Sequence, residues 1–409
     1  MNNAINNENK KLNVPNLRFK EFQGEWEKMR LDAFTKRVMR KNKSNQSRLP
    51  LTISAQYGLV DQITFFNKVV ASTDLSNYYL LKKGEFAYNK SYSSDYPWGA
   101  IKRLDNYDQG ALSSLYICFA PQDNVVSDFI LQYFESPKWH KGISEIAVEG
   151  ARNHGLLNVA VQDFFHTYHY VPKDKKEQIK ISKLLMLLDE RIATQNKIID
   201  KLQTLIRGIM VELQKQGLKN GTWKKFILAD VLSERSELNI NLHQVFSVSV
   251  SKGVVNQVEY LGRSFSAKDT SKYHVVHYGD IVYTKSPTGS FPYGIVKQSL
   301  NHDNVAVSPL YGVYKPKNFS TGMFLHQYFM SEVNTLNYLH PLIQKGAKNT
   351  INITNQRFLE NRVAMPINTD TLLVISQLLR SLNYKIEYQQ SLLLQYQKQK
   401  QYLLRQMFI

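Results

Sequence analysis

LTISAQYGLVDQ, residues Leu51–Gln62, has a second copy in the same chain: 195 residues on, Phe246–Gln257 reads FSVSVSKGVVNQ. Ser54 falls on Ser249, Gly58 on Gly253, Val60 on Val255 and Gln62 on Gln257. The register continues outward. SNYYLLKKGEFAYNKS (Ser76–Ser91) lies over SKYHVVHYGDIVYTKS (Ser271–Ser286), with Gly84, Tyr88, Lys90 and Ser91 on Gly279, Tyr283, Lys285 and Ser286. Pro97, Gly99 and Lys102 fall on Pro292, Gly294 and Lys297, and Gln132-Tyr133-Phe134 on Gln327-Tyr328-Phe329. Toward the ends the register slips: Gly150-Ala151-Arg152-Asn153 meets Gly346-Ala347-Lys348-Asn349 at 196, and Asn158, Gln162, Phe164 and Pro172 meet Asn352, Gln356, Phe358 and Pro366 at 194. Trp26 corresponds to Trp223. One register held over that distance is a duplication.

Local patterns give the repeated module a mixed character. Glu85–Asn89 (EFAYN), Asp280–Thr284 (DIVYT) and Leu310–Tyr314 (LYGVY) are short, aromatic or β-branched, and bounded by Gly or Pro, which is strand chemistry. Val126–Phe134 and Thr321–Met330 read as helices. The expected fold class is α+β.

After Pro172 the pattern changes. Ile181, Leu185, Leu188, Ile192, Gln195, Ile199, Leu202, Ile206, Ile209 and Leu213 advance by alternating steps of four and three, one seam of a long helix. After Pro366 the seam returns as Ile375, Leu379, Leu382, Ile386, Gln389, Leu393 and Tyr396, again 194 residues on. Gln195 and Gln389 share one seam position. A buried polar seam residue sets register at some cost in stability; a Gln reaching out of an imperfect seam is the other reading. Gly217 and Gly221 are expected to end the first helix. Equivalent helices after equivalent modules predict a pseudo-two-fold arrangement with the helices antiparallel, against the alternative of a coiled coil between chains. At 1.5 Å per residue the first seam spans about 50 Å. Paired DNA readers usually sit about one helical turn apart or a small multiple of it, so two half-sites with an unread spacer suit this geometry. The expected division is 1–16 a flexible tail, 17–172 the first module, 173–217 a long helix, 218–366 the second module and 367–409 a second long helix.

Composition narrows the function class. The 409 residues carry 52 Lys plus Arg against 34 Asp plus Glu, a formal charge of +18 and a pI near 9.6. Such a surface attracts a polyanion, nucleic acid being the usual one, or is basic with no such partner. The single cysteine, Cys118, excludes an internal disulfide and sits in an apolar run as a buried small hydrophobe. No signal peptide or membrane span is visible, so a cytoplasmic protein is expected. Neither a phosphate-binding G-x-x-x-x-G-K-[ST] loop nor G-x-G-x-x-G occurs. Ser308-Pro309-Leu310-Tyr311 lacks the first polar residue and second Pro of the amino-methyltransferase motif and reads as core. His166 with His169, and His274 with His277, lack the companions of a metal site. Asp189-Glu190-Arg191 reads as a solvated helix face. No catalytic residue and no metal ligand is assigned.

Candidate contact residues come from comparing the copies. Asn89-Lys90-Ser91-Tyr92-Ser93-Ser94-Asp95 lies over Thr284-Lys285-Ser286-Pro287-Thr288-Gly289-Ser290, alike to Ser91 and divergent after it. Lys90 and Lys285 holding phosphate, with Ser91, Tyr92, Ser93 and Ser94 or Ser286 and Thr288 reading bases, is one reading; an ordinary hairpin with a solvated Lys is the other. Arg152-Asn153-His154 and Lys348-Asn349-Thr350 each follow a Gly-Ala pair that permits close approach to a phosphate, or are turns with a surface cation. Gln56-Tyr57 and Ser251-Lys252 are contacts or strand-end turns. Lys102, Arg103 and Lys297 add phosphate charge or are simply exposed.

The order of these features resembles the specificity subunit of type I restriction–modification systems, over roughly residue 15 to the C-terminus. Carrying the resemblance are the whole-chain repeat, the Trp-x-x-x-x-Leu opening of each half (Trp26 to Leu31, Trp223 to Leu228), the Gly84-Glu85 and Gly279-Asp280 turns, GARN and GAKN followed by LLNV and INIT, and the tail helices. The resemblance implies two tandem target-recognition domains, each reading half of a bipartite, asymmetric double-stranded DNA site. It implies helices that set the spacer and hold two modification subunits, which use S-adenosylmethionine to methylate adenine. Two restriction subunits, motor–nucleases using ATP and Mg, complete the complex. No cofactor is expected on this chain itself.

Overall fold

Strands form where the sequence alternates large buried side chains with short turns. In a computed structural model, residues 12–55, 57–68, 70–147, 155–263, 266–345 and 351–409 are described. They divide into two units, at Gln195/Asn196 and at Ser391/Leu392, and each unit holds one copy of the module with parts of both long helices.

In the first unit, β1 (Glu27–Arg30), β2 (Thr35–Arg37), β3 (Pro50–Ser54), β4 (Gly58–Asp61) and β5 (Tyr79–Lys82) are followed by β6 (Phe86–Asn89), β7 (Ala100–Arg103), β8 (Gln109–Leu112), β9 (Ile117–Pro121) and β10 (Tyr168–Val171). They build sheets in the orders β2-β9-β6-β7 and β4-β3-β8-β5, and β1 pairs with β10. In the second unit, β11 (Trp223–Ile227), β12 (Leu232–Glu234), β13 (Phe246–Ser249), β14 (Gly253–Asn256), β15 (His274–Val276) and β16 (Ile281–Tyr283) precede β17 (Val296–Gln298), β18 (Val305–Val307), β19 (Gly312–Pro316), β20 (Gln344–Lys345), β21 (Ile351–Asn352) and β22 (Arg362–Pro366).

The two units share their central topology, although the first unit's sheet β4-β3-β8-β5 becomes two separate pairs, β13-β14 and β15-β18, in the second. The second repeats the sheet as β12-β19-β16-β17 and the closing pair as β11-β22. Registers repeat residue for residue: Phe86 opposite Phe119 becomes Ile281 opposite Tyr314, and Ser54 opposite Gly58 becomes Ser249 opposite Gly253. The opening stretch is therefore a hairpin running into a short helix, capped by Asp61 in one unit and Asn256 in the other.

Side chains repeat too. Trp26 packs edge-on to Phe129 at 5.9 Å, as Trp223 does to Phe324 at 5.5 Å. Tyr88 stacks on Phe164 and Tyr283 on Phe358. Gly84 and Gly279 take positive φ at the tight turn before the central strand. The acid that follows each glycine folds back: Glu85 accepts from the Lys82 N–H at 2.8 Å, Asp280 from the His277 N–H at 2.9 Å. An arginine closes each turn, Arg40 on Glu85 and Arg235 on Asp280, both at 2.7 Å. These arginines are not register equivalents, because the Arg40 carbonyl accepts from Leu80 where Glu237 accepts from Val275. Arg235 reaches the same acid from two residues earlier, on the same strand face.

The long helices span Lys175–Lys219 and Thr369–Gln406. Every seam residue among Ile181, Leu185, Leu188, Ile192, Gln195, Ile199 and Leu202, and among Ile375, Leu379, Leu382, Ile386, Gln389 and Leu393, is buried or half-buried. In the first unit the helices run antiparallel: the Lys400 ammonium meets Asp189 at 2.5 Å, and Arg191 lies over the Tyr396 ring at 5.9 Å. There Leu403, Leu404, Met407 and Phe408 join Ile181, Leu185 and Leu188 in one core with Trp26, Phe86 and Phe119.

Several expectations need correcting. Gly217 does not stop its helix. It lies inside it, where any Cβ would overlap the Trp223 indole, so the glycine lets the tryptophan fold back; Gly221, at positive φ, follows the helix end. Residues 12–16 of the expected flexible tail are tied down: the Trp26 N–H donates to Asn13 at 2.8 Å and Asn16 to Gln406 at 3.1 Å. Leu310 is 73% exposed in a turn, and its strand begins two residues later. Asp189 is an ion-pair partner rather than a merely solvated acid.

Candidate nucleic-acid interface

The loop from β6 to β7 is held by its ends. Inside, the Tyr88 hydroxyl donates to the Trp98 carbonyl at 2.9 Å, as Tyr283 does to Tyr293 at 2.8 Å. Gly99 and Gly294 sit at positive φ, and a Cβ on either would overlap the carbonyl oxygen of Asn89 or Thr284. On this neck Ser91, Tyr92, Ser93, Ser94 and Asp95 all face solvent.

A second segment comes to the same loop. The Leu157 N–H donates to the Lys90 carbonyl at 2.9 Å, the Tyr92 N–H to the Gly155 carbonyl at 3.0 Å, and Ser91 bridges to Leu156. Arg152, Asn153 and His154 lie outside the described residues, but the chain that resumes at Gly155 is bonded to Tyr92. Two stretches far apart in sequence are thus adjacent. In the second unit, Thr288 pairs with Phe291, and its hydroxyl donates to the Ser286 carbonyl at 3.2 Å. Lys348, Asn349 and Thr350 lie outside the described residues, between the antiparallel partners β20 and β21.

Of the hairpin-tip candidates, Gln56 lies outside the described residues. Tyr57 is exposed, with its ring edge-on to Phe65 at 6.4 Å. Ser251 and Lys252 are exposed, and the Lys252 ammonium stands 5.6 Å over the Tyr260 ring.

Three basic candidates leave the set. Lys102 is ion-paired with Glu135 at 2.6 Å, and Arg103 with Asp105 and Asp128 at 2.7 Å each. Both are mostly buried by the helix Ser127–Glu135. Lys297, on the strand equivalent to that of Lys102, is 3% exposed. Met330 stands where Glu135 stands in the first unit, with its sulfur 2.6 Å from the Lys297 ammonium. Burial pushes that ammonium down to about 8.

Arg37 was not singled out from sequence, although Trp26 over Trp223 gives the register that finds it. It ends β2, and with Lys90, Tyr79, Ser114 and Tyr116 it lines a cavity of about 170 Å³. The same register places Glu234 there in the second unit. Asn355 donates to the Glu234 carboxylate at 2.7 Å, and burial lowers the Lys285 ammonium while Glu234 acts the other way.

Of these histidines, His169 is a core residue. His169 is buried between the Tyr133 hydroxyl at 2.9 Å and Thr167 at 2.8 Å, and burial pushes it down to about 3. His166 stands on the surface near Asp32, and His277 contacts Glu237 at 2.7 Å. Cys118 is buried and its thiol pushed up to about 12.

These features define a class: a duplicated α+β module presenting unlike exposed loops on one scaffold, combined with two long helices. No family model matches the sequence, and no curated protein matches it. Among solved structures, the type I restriction–modification system S subunit from M. genitalium is similar over 97% of this chain and 99% of that one, with 12% identity and a TM-score of 0.59. The HsdS subunit from Thermoanaerobacter tengcongensis aligns over 95% of this chain and 99% of that one, with 14% identity and a TM-score of 0.39. At such identity the likeness is one of fold, and it rests on the first structure: this chain has the fold of a type I restriction–modification S subunit. Among the described residues, no helix is long and apolar enough to cross a membrane.

Proposed function

We propose that this chain is the DNA-sequence-specificity subunit of a type I restriction–modification complex. Each module reads one half of a bipartite, asymmetric DNA site. The observation that carries this reading is the pairing of one scaffold with two loops: strand registers repeat residue for residue, while Tyr92-Ser93-Ser94 and Pro287-Thr288-Gly289 differ in a loop where these residues are exposed, Thr288 alone being half-buried. Lys90 at the loop base of the first module suits phosphate, and unlike tips suit unlike bases.

The long helices are the docking surface for two modification subunits, with two restriction subunits joining the assembly. Leu187, Ile198 and Leu205 are exposed on a face of the first helix that lies off the seam, as a protein partner requires. The chain itself transfers no methyl group and cuts no DNA; S-adenosylmethionine, ATP and Mg belong to the partner subunits.

The test is methylome sequencing of a methylation-free host expressing this gene with its neighbouring modification gene, against the modification gene alone. A split adenine-methylation motif seen only with both genes is expected. No motif from a soluble, associated pair overturns the reading in favour of a coiled-coil adaptor. Methyl transfer or cleavage by the purified chain alone overturns it in favour of a stand-alone methyltransferase or nuclease.

A further inference from the structure

We infer that the first unit alone carries a built site for a phosphate group, between Arg37 and Lys90, and that Glu234 closes the equivalent place in the second unit to anions. Arg37 ends β2 and Lys90 follows β6, with β9 between those strands. Both residues line one cavity, together with Ile117, Cys118, Tyr79, Ser114 and Tyr116. The Lys90 backbone is held by Leu157, so its side chain starts from an ordered point.

Four cations of this unit are neutralised within it, Arg18 by Glu177, Arg40 by Glu85, Lys102 by Glu135 and Arg103 by Asp128. Among the described residues, Arg37 and Lys90 have no carboxylate within ion-pair distance. Two like charges at one partly enclosed cavity repel, and an anion bound between them relieves the repulsion while using the fork of the guanidinium and the hydroxyls beside it.

The duplication supplies the control. Arg37 lies opposite Phe119, and Glu234 lies opposite Tyr314, in one register. Lys90 corresponds to Lys285. Val161 lines the first cavity, and its counterpart Asn355 donates to Glu234 and holds the carboxylate in place. The second unit thus has its counter-charge built in where the first has a second cation.

The ligand is a phosphate group, either a phosphodiester of DNA or free phosphate; only the first source rests on the specificity-subunit reading. The purified full-length chain is titrated with a random-sequence DNA duplex across a range of NaCl, and separately melted in inorganic phosphate against chloride at matched ionic strength. Arg37→Gln, Arg37→Lys and Glu234→Gln are compared with the parent. If the source is DNA, Arg37→Gln lowers the slope of log K against log salt by about one, the loss of one phosphate contact, Arg37→Lys retains most of it, and Glu234→Gln tightens binding. If the source is free phosphate, the phosphate-dependent rise in Tm disappears in Arg37→Gln and the DNA slope does not move. An Arg37→Gln chain that is folded by circular dichroism and unchanged in both titrations overturns the site. A parent chain that binds no duplex yet is stabilised by phosphate keeps the site and sinks the DNA reading.

Discussion

Lys102 and Lys297 occupy one place on one strand in the two units, and what each faces decides its cost. Lys102 has the Glu135 carboxylate; Lys297 has a thioether and the buried His326. A lysine held near 8 rather than 10.5 costs the fold about 3 kcal/mol at neutral pH. The sign follows from proton counting. Between pH 8 and 10.5 the unfolded chain holds the proton that the folded chain has released, so this group adds stability as pH rises through that window. Met330→Glu is expected to raise the unfolding free energy at neutral pH and flatten the rise; denaturant melts at pH 7 and pH 10 read both. His169 and His326 act at the acid end. Both are buried and pushed down to about 3, so each is neutral in the fold and charged in the unfolded chain below about 6.5. Stability present above 6.5 is lost as pH falls toward 3, at about 1.4 kcal/mol per pH unit for each histidine. Acid titration of the unfolding free energy measures that slope, and His169→Asn is expected to remove one histidine's share of it.

At the scale of the element, the helix seam was legible because a period of four and three leaves few other readings. Its consequences separate cleanly. Leu185 and Leu379 are fully buried, and replacing either with Ala is expected to cost about 2–5 kcal/mol in denaturant melts. Leu205 is exposed, so Leu205→Ala is expected to change stability by less than about 0.5 kcal/mol while weakening capture of the modification subunit in a pull-down. The helix end was less legible. Gly217 carries the composition of a stop, but the reason for the glycine lies six residues later, in the Trp223 ring that packs against it. Glu177 was likewise invisible as a buried acid: Arg18 and the Trp26 indole, which it meets at 2.7 and 3.2 Å, come from more than 150 residues away.

Across the whole molecule, duplication made the fold legible without any matching family model. Residues that set turns and core, such as Gly84, Tyr88 and Gly99, must recur if the scaffold recurs, and they do. The candidate site was legible only in part. Exposed loops announced themselves by divergence, but Glu135 and Asp128, which pair with Lys102 and Arg103, come from a helix packed on the sheet, and Met330, which meets Lys297, is 33 residues away from it, so sequence neighbours do not reveal them. Replacing Tyr92-Ser93-Ser94 with Pro287-Thr288-Gly289 is expected to alter one half of the methylated motif and leave the other half intact, read again by methylome sequencing. The closing strands carry a last implication. Glu27–Arg30 lies antiparallel to Tyr168–Val171, and Trp223–Ile227 to Arg362–Pro366, so each module's chain leaves beside the point where it enters. Each module is a cassette closed by its own pair of strands. On the proposed specificity-subunit reading, two crossovers in the gene, one in each closing strand of a module, would replace an entire reading head while leaving the helices untouched, and a lineage could acquire a new half-site in a single recombination event.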